Sequence, residues 1–293
     1  NIWKEPSAKM LEPDLEKDSH FLNHSAIVIG RGPSLKKQKH LELLANSNYH
    51  GIVIVCDGVL IEALKSGVTP DKFPNFYVVT IDYAPTFKKF YDDELVDKFG
   101  KKIKGIFTTI TDPEVVERAR DAGIKIHWIH PLFDYNEGKK SFNYITSKII
   151  RVKKQEMGLP AIQTGGNVGT TAWFISWMIL KCKTVALIGI NHAWDESDGW
   201  EKIITHNNDL PIKMEQTDPV FKKLFEKSHN PEFNCDFILD PMFRLYSMCL
   251  KEFIMRSPDW VNTINATEGG SIFGERITCK NFKEFLDDQE SNS

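Results

Sequence analysis

Short runs of apolar, mostly β-branched residues alternate along this chain with longer amphipathic stretches, and this alternation constrains the fold more than any other feature. Most of the runs are continuous rather than interrupted by polar residues, which is typical of strands buried on both faces of a parallel sheet. Strand–helix alternation places helices on both sides of such a sheet. The sequence therefore predicts an α/β fold, a three-layer sandwich with a mostly parallel sheet. The predicted strands are Ala26–Gly30, Ile52–Asp57, Phe76–Asp82, Gly105–Ile110, Lys125–His130 and Val185–Asn191.

Helices are predicted near residues 34–47, 58–66, 85–98, 112–122, 142–157, 169–182 and 240–256, with a last apolar segment at Val261–Ala266. Residues 1–24 are polar and are predicted to form an N-terminal arm or a short helix packed on the main body. The body spans residues 25–275, and residues 276–293 are expected to be a C-terminal tail. Residues 192–238 show little periodicity, which is typical of an irregular lid or insertion.

Composition and charge exclude several classes of protein. The chain has 37 Lys and Arg against 40 Asp and Glu, a net charge of −3, and so lacks the basic surface of a general nucleic-acid binder. Its five cysteines contain no C-x-x-C pair, which favours a reducing cytoplasm over a disulfide or zinc framework. No apolar run reaches the roughly 18 residues of a membrane span. Because the chain begins at Asn1 rather than Met, trimming from a longer protein stays open.

A glycine-rich turn, Gly30–Ser34 (GRGPS), follows the first predicted strand directly. Glycines permit a close approach of the backbone to a ligand, and N–H groups at a helix start attract phosphate. Pro33 suits the first helical position, and Arg31 adds positive charge. Leu35 occupies the third glycine position of the dinucleotide fingerprint, and no P-loop pattern occurs. The turn predicts a phosphate or nucleotide site, with a plain strand-to-helix turn as the alternative.

Two aspartates end the second and third predicted strands, Asp57 (followed by Gly58) and Asp82. The carboxyl ends of parallel strands point into the ligand crevice of open α/β sheets. Asp57 is placed to accept hydrogen bonds from a ribose or a base, and Asp82 to bind a metal or an acceptor hydroxyl. For each residue, capping of the following helix is an equally good interpretation.

A second glycine-rich turn, Thr164–Thr171 (TGGNVGTT), precedes the most apolar predicted helix, which should be central and buried. Thr170 and Thr171 are expected to cap this helix and to offer hydroxyls to a ligand, with close backbone packing as the alternative. The sixth strand ends at Asn191-His192, where the histidine is either a general acid or base or an ordinary loop residue. The sequence has no D-x-D triplet, which weighs against metal-dependent nucleotide-sugar transferases of that type.

These segments, in this order, resemble the 6-hydroxymethylpterin diphosphokinase-like family. The family includes archaeal pterin diphosphokinases and the central domain of bacterial motility accessory factors, glycosyltransferases that modify flagellin with nonulosonic acids. A more distant similarity connects the chain with bacterial sialyltransferases that start with G-x-G-P-S. The segments that carry the resemblance, within roughly residues 25–275, are Ile27–Leu35 (IVIGRGPSL), Ser66–Asp71 (SGVTPD), Val78–Asp82 (VVTID), Gly165–Thr171 (GGNVGTT), Leu187–Asn191 (LIGIN) and Asn265–Gly274 (NATEGGSIFG).

The resemblance implies a Rossmann-like nucleotide site. It implies that Gly30–Ser34 forms the family's first turn, and that Gly169 and Thr170 form a cytidine-nucleotide-binding turn. There are departures: Asp82 is a single carboxylate where pterin diphosphokinases carry an acidic cluster, and Asn191 stands where motility factors often have aspartate. The stretch 237–240 lacks the histidine base of the sialyltransferases. The residues expected to bind nucleotide are Gly30, Arg31, Gly32, Pro33, Ser34, Asp57, Gly58, Thr164, Gly165, Gly166, Asn167, Gly169, Thr170 and Asn191.

Three functions follow from the resemblance and the residues. The first is a nucleotide-sugar glycosyltransferase that uses a cytidine-activated nonulosonic acid in surface or flagellin glycosylation, with Asp82 or His192 as its base. The second is a pterin diphosphokinase, in which Asp57 and Asp82 would hold Mg²⁺ against ATP. The third is a nucleotide-binding module without catalysis. No tightly bound cofactor is expected, and the acceptor is left open as a glycan, a flagellin-like protein or a pterin.

Overall fold

A nine-stranded sheet forms the centre of the computed structural model, which describes residues 2–13, 25–133, 138–151, 153, 156–198, 217 and 219–291. All pairings in this sheet are parallel. The predicted α/β fold with a mostly parallel sheet is therefore confirmed. The strands of this sheet are β1 (Ser25–Ile29), β2 (Ile52–Cys56), β3 (Phe76–Thr80), β4 (Lys104–Thr108), β5 (Lys125–Pro131), β6 (Ala161–Ile162), β7 (Thr184–Ile188), β11 (Asn262–Asn265) and β12 (Ile277–Cys279).

Helices cover both faces of the sheet. Successive strand residues point to opposite sides, so each face presents apolar side chains that the helices bury. In β1, Ile27 and Ile29 join one hydrophobic core, while Ala26 and Val28 join the other. The helices are α1 (Ser34–Lys37), α2 (His40–Asn46), α3 (Leu60–Lys65), α4 (Glu94–Phe99), α5 (Pro113–Asp121), α6 (Phe142–Ile150), α7 (Val168–Met178), α8 (Pro219–Leu224), α9 (Pro241–Arg256) and α10 (Phe282–Ser291). The first core receives side chains from α2–α5 and α10, and the second from α7 and α9.

The strand order β12-β11-β7-β1-β2-β3-β4-β5-β6 contains a reversal that positions the site. The chain moves outward from β1 to β6, returns to place β7 on the other side of β1, and then continues to β11 and β12. Connections therefore leave β1 and β7 in opposite directions. In open α/β sheets the ligand crevice lies at such a reversal, outside the carboxyl ends of the strands. Here that point is the pair of loops after β1 and β7.

The predicted insertion at 192–238 contains more regular structure than its sequence suggested. The strands β8 (Trp194–Asp195), β9 (Glu226–Asn230) and β10 (Cys235–Leu239) form a separate antiparallel sheet in the order β8-β10-β9. Strand β9 reads Glu-Lys-Ser-His-Asn and is largely exposed, so it carries no hydrophobic period to detect. Residues 199–216 and 218 of the predicted lid lie outside the described residues.

The two termini also pack on the body where they are described. The segment 276–293, expected to be a tail, supplies edge strand β12 and helix α10, whose Phe282 and Phe285 are buried in the first core. The body thus continues past residue 275. In the arm, Glu5 accepts a bidentate pair of hydrogen bonds from Arg120 and one from the Trp128 indole; residues 14–24 of the predicted arm lie outside the described residues. Within the described ranges, no helix is both long enough and apolar enough to cross a membrane.

Candidate functional site

The turn after β1 is bound directly to the end of β7. Gly30 N donates to Ile188 O at 2.8 Å, and Gly32 N donates to Gly189 O at 2.6 Å. A Cβ atom on Gly32 would lie 2.7 Å from Gly189 O and closer still to Asn191 Oδ1. Glycine is therefore required at position 32 by the approach of the β7 loop. From the sequence alone, glycine at this position was predicted to permit the close approach of a ligand.

The helix after this turn is shorter than predicted. The expected helix 34–47 is divided into α1 and α2 by Lys39, whose φ of 54° is left-handed. Pro33 precedes α1 at its N-cap, and the Ser34 hydroxyl donates to Asn191 Oδ1 at 2.9 Å. A four-residue helix contributes little dipole, so any anion binding here depends on the turn's own N–H groups and on Arg31.

Asp57 and Asp82, at the ends of β2 and β3, form an acidic pair. Asp57 is only 3% exposed; its Oδ1 accepts from Gly58 N at 2.7 Å, while its Oδ2 has no hydrogen-bond partner among the described residues. Burial, and then the charge of Asp82, raise the pKa of Asp57 to about 7, against smaller opposite effects of the Gly58 N–H, the Thr80 hydroxyl and the charge of Arg31. Burial also raises the pKa of the half-buried Asp82.

This pair fits a magnesium ion only if a substrate completes the coordination. Among the described residues no group of three His, Cys, Asp or Glu side chains could hold a metal. Mg²⁺ is commonly held by one or two carboxylates together with substrate phosphates and waters. The unpartnered Oδ2 of Asp57 and the neighbouring Asp82 carboxylate are the protein groups that would hold it.

Arg31 joins the first turn to the acidic pair. Its Cδ would lie 3.4 Å from a Cβ on Gly58, and its guanidinium lies 5.7 Å from the centre of the Phe90 ring. The side chain is exposed, while its backbone belongs to the turn after β1. The structure thus brings together Arg31, Asp57, Gly58 and Asp82, which the sequence had marked separately.

The second glycine-rich turn lies against the same β7 loop. A Cβ on Gly30 and a Cβ on Gly169 would each contact the side chain of Ile190, at 2.7 and 3.1 Å. Asn167, rather than either threonine, caps α7: its Oδ1 accepts from Thr170 N at 2.8 Å. The Thr170 hydroxyl accepts from Asn167 Nδ2, and both Thr170 and Thr171 are fully buried. Their hydroxyls therefore serve the turn itself.

The loop after β7 is held in a strained conformation by residues near β11. His192 has a φ of 40°, which is uncommon for a residue other than glycine. Its carbonyl accepts from Ser271 Oγ at 2.7 Å, and the Asn191 carbonyl accepts from Ser271 N at 2.9 Å. Burial lowers the pKa of His192 to about 3, and no residue in the described ranges forms a hydrogen bond with its Nδ1. The neutral imidazole packs 5.8 Å from the Tyr246 ring.

A family model described as "6-hydroxymethylpterin diphosphokinase MptE-like" matches residues 2–197 of this chain. The chain belongs to the MptE-like family. The match covers β1 to β8 and therefore both glycine-rich turns, the acidic pair and the loop after β7. Family membership supports a group-transfer role for this chain.

A solved structure described as the MAf glycosyltransferase from Magnetospirillum magneticum AMB-1 shares the fold of this MptE-like chain. The TM-score is 0.60 at 14% sequence identity, and the similarity covers 92% of this chain and 36% of that one. The chain thus spans about a third of the length of that protein. No curated protein sequence matches the chain.

Two parts of the MptE-like site were missed by the sequence reasoning. Ser271 secures the loop after β7, and Tyr246 on α9 contacts both that loop and the second turn. Ser271 lies in the segment Asn265–Gly274. This segment contributed to the family resemblance, but no function was predicted for its residues. Tyr246 had no local signal, because a tyrosine on an amphipathic helix looks like any core aromatic residue.

Proposed function

We propose that this MptE-like chain is a nucleotide-dependent group transferase, and specifically a glycosyltransferase that uses a CMP-activated nonulosonic acid as donor. The observation that carries the proposal is the meeting of two glycine-rich turns and a desolvated carboxylate pair at the reversal point of a parallel sheet. Open α/β sheets bind nucleotides at that point. The donor class is supported by the resemblance to motility accessory factors and sialyltransferases, and by the shared fold with a glycosyltransferase.

In this proposal Arg31 binds the donor phosphate with its positive charge, together with the N–H groups of the first turn other than those of Gly30 and Gly32, which bond the end of β7. The acceptor hydroxyl oxygen attacks the anomeric carbon of the donor sugar. The bond from that carbon to the CMP phosphate oxygen breaks, the hydroxyl proton passes to a base, and CMP leaves.

Asp82 is better suited than His192 to be that base. Asp82 is half-buried and reachable, and its raised pKa brings it nearer to neutrality, where a general base is most effective. His192 is buried, with a pKa lowered to about 3, so its imidazole is a weak base. We assign His192 to shaping the crevice beside Tyr246.

A second candidate is 6-hydroxymethyl-7,8-dihydropterin diphosphokinase, which the family description and the Asp57–Asp82 pair favour. In this reaction the hydroxymethyl oxygen attacks the β-phosphorus of ATP, the bond from that phosphorus to the oxygen shared with the α-phosphate breaks, the hydroxyl proton passes to the Asp82 carboxylate, and AMP leaves. Mg²⁺ would neutralise phosphate charge when it is bound. Asp57 and Asp82 would hold the ion, and Asp82 would also lie near the attacking hydroxyl.

One set of measurements tests both candidates. Melting temperatures are recorded with CMP, CDP, CMP-N-acetylneuraminate, ATP and GTP, each with and without Mg²⁺. A ligand at about 100 times its Kd stabilises by roughly 2.7 kcal/mol, which is readily measured. CMP release from CMP-N-acetylneuraminate and AMP release from ATP plus the pterin then report turnover.

A shift with CMP compounds and release of CMP are expected for the glycosyltransferase. Mg²⁺-dependent AMP release would instead favour the diphosphokinase. Binding without turnover of either donor, in wild type and in Asp82→Ala alike, would favour a module that only binds nucleotide. No shift with any nucleotide would refute the proposal.

A further inference from the structure

Tyr246 lies in the crevice but has no role in the donor binding proposed above. It lies on α9, outside the residues matched by the family model. Its ring is half-buried, and no described residue forms a hydrogen bond with its hydroxyl. A half-buried phenol normally finds a polar partner for its hydroxyl, so this group is available to a ligand.

Three parts of the site surround this ring. A Cβ on Gly166 would lie 2.9 Å from Tyr246 Cε1, so the ring rests on the second glycine-rich turn. The His192 ring lies 5.8 Å away, at the end of β7. Asp82, at the end of β3, is near enough that its charge helps to raise the pKa of Tyr246. The ring therefore lies against the second turn and the loop after β7, within electrostatic range of the proposed base.

The electrostatic surroundings of Tyr246 differ from those of the first turn. The charges of Asp82 and Asp240 both raise the pKa of Tyr246, after the larger effect of burial. Two carboxylates repel a phosphate and tolerate a neutral hydroxyl. Arg31 lies beside Gly58, at the first turn. The first-turn side of the crevice thus offers the positive charge of Arg31 to an anion, beside Asp57, whereas the Tyr246 side suits an uncharged group.

We propose that Tyr246 and Asp82 form the acceptor subsite, which binds an uncharged, hydroxyl-bearing acceptor with the phenol as a hydrogen-bonding anchor. The inference rests on the proposed group-transfer function and adds the side from which the acceptor enters. The phenol stays protonated and bonds the acceptor beside its attacking hydroxyl, whose proton goes to Asp82. Both candidate reactions use such an acceptor, a sugar or a hydroxymethylpterin. Tyr246 is a positioning residue in this scheme.

Tyr246→Phe tests the inference, because it keeps the ring on Gly166 and removes only the hydroxyl. Tyr144→Phe, at an exposed tyrosine on α6, is the matched control. The assays are the CMP- and ATP-induced melting shifts, hydrolysis of CMP-N-acetylneuraminate by water, transfer from it to lactose, and AMP release with 6-hydroxymethyl-7,8-dihydropterin. We expect unchanged CMP- and ATP-induced melting shifts, because these report the donor side alone, and the hydrolysis rate serves as the reference for donor turnover. In whichever transfer reaction the wild type performs, the acceptor KM should rise about tenfold, as for one lost hydrogen bond.

The outcomes separate this inference from the function on which it depends. A wild-type protein that binds no nucleotide or transfers to neither acceptor overturns both. A wild type that transfers, with an acceptor KM unchanged in Tyr246→Phe, overturns only the acceptor subsite. Loss of the CMP or ATP shift in Tyr246→Phe also overturns it, because the phenol would then belong to the donor side.

Discussion

Replacement of Gly32 by alanine should separate the two loops that form the crevice. The new methyl group would lie 2.7 Å from Gly189 O, inside van der Waals contact, and would overlap Asn191 Oδ1. Relief of this overlap requires the turn after β1 to move away from the loop after β7. That movement stretches the Gly32 N–Gly189 O bond of 2.6 Å and the Ser34–Asn191 bond of 2.9 Å.

The expected loss of stability follows from these contacts. An extra methyl group in a well-packed site costs about 1–3 kcal/mol, and each weakened hydrogen bond adds about 1 kcal/mol. We therefore expect Gly32→Ala to lower the free energy of unfolding by roughly 2–4 kcal/mol and the melting temperature by roughly 3–7 °C. Urea unfolding and differential scanning fluorimetry measure both quantities, and titration with CMP measures the accompanying loss of nucleotide affinity.

Gly58→Ala is the matched control within the same crevice. A Cβ at Gly58 would meet Arg31 Cδ at 3.4 Å and Phe90 at 3.6 Å, which are ordinary contacts. Its melting temperature should stay within about 2 °C of the wild type, as for a substitution without a steric cause of instability. If Gly32→Ala were as stable as Gly58→Ala, the argument that the β7 loop requires glycine at position 32 would be refuted.

Three further predictions test other parts of the molecule. Folding raises the pKa of Asp57 to about 7. Above about pH 4 the unfolded chain therefore releases a proton that the folded chain still holds. As a result, this carboxyl increasingly lowers the free energy of unfolding between about pH 4 and pH 7. Asp57→Asn should therefore gain melting temperature over the wild type as pH rises through this window; a difference that stays constant with pH would refute the effect of burial on this carboxyl. Glu5→Ala should free the arm from Arg120 at a cost of about 1–3 kcal/mol, seen as faster amide exchange in residues 2–13; unchanged exchange would contradict the contact. Asn191→Asp should weaken CMP binding about tenfold by charge repulsion, which calorimetry measures, and equal affinity would argue against phosphate near this loop.

The parallel sheet was predictable because its strands carry their own signal. Strands buried on both faces need continuous apolar runs, and the predicted run Ala26–Gly30 lies within one residue of the observed β1. The convergence of the site was predictable for a related reason. Asp57 and Asp82 follow parallel strands, and parallel strands end at one edge of a sheet.

Other features depend on tertiary contacts that no local pattern reports. The helix predicted over 34–47 is broken at Lys39, although its residues favour helix throughout. The Asn167 cap was overlooked because Thr170 and Thr171 follow in the same turn and also suit caps. Tyr246 was missed since its contacts, Gly166 and His192, are far from it in the sequence.

The position of β7 beside β1 has a consequence for the order in which the protein assembles. The two loops of the crevice are separated by more than 150 residues in the chain, and the hydrogen bonds that secure the second loop come from Ser271. During synthesis, strands β1 to β6 can pair as they emerge, but the crevice closes only after the segment following β11 has been made. Since contacts between distant residues form slowly, a truncated chain ending at residue 197 should collapse into a sheet with an open, unformed crevice. Nucleotide binding would then report completion of the fold, and pulse-labelled refolding should show it appearing last.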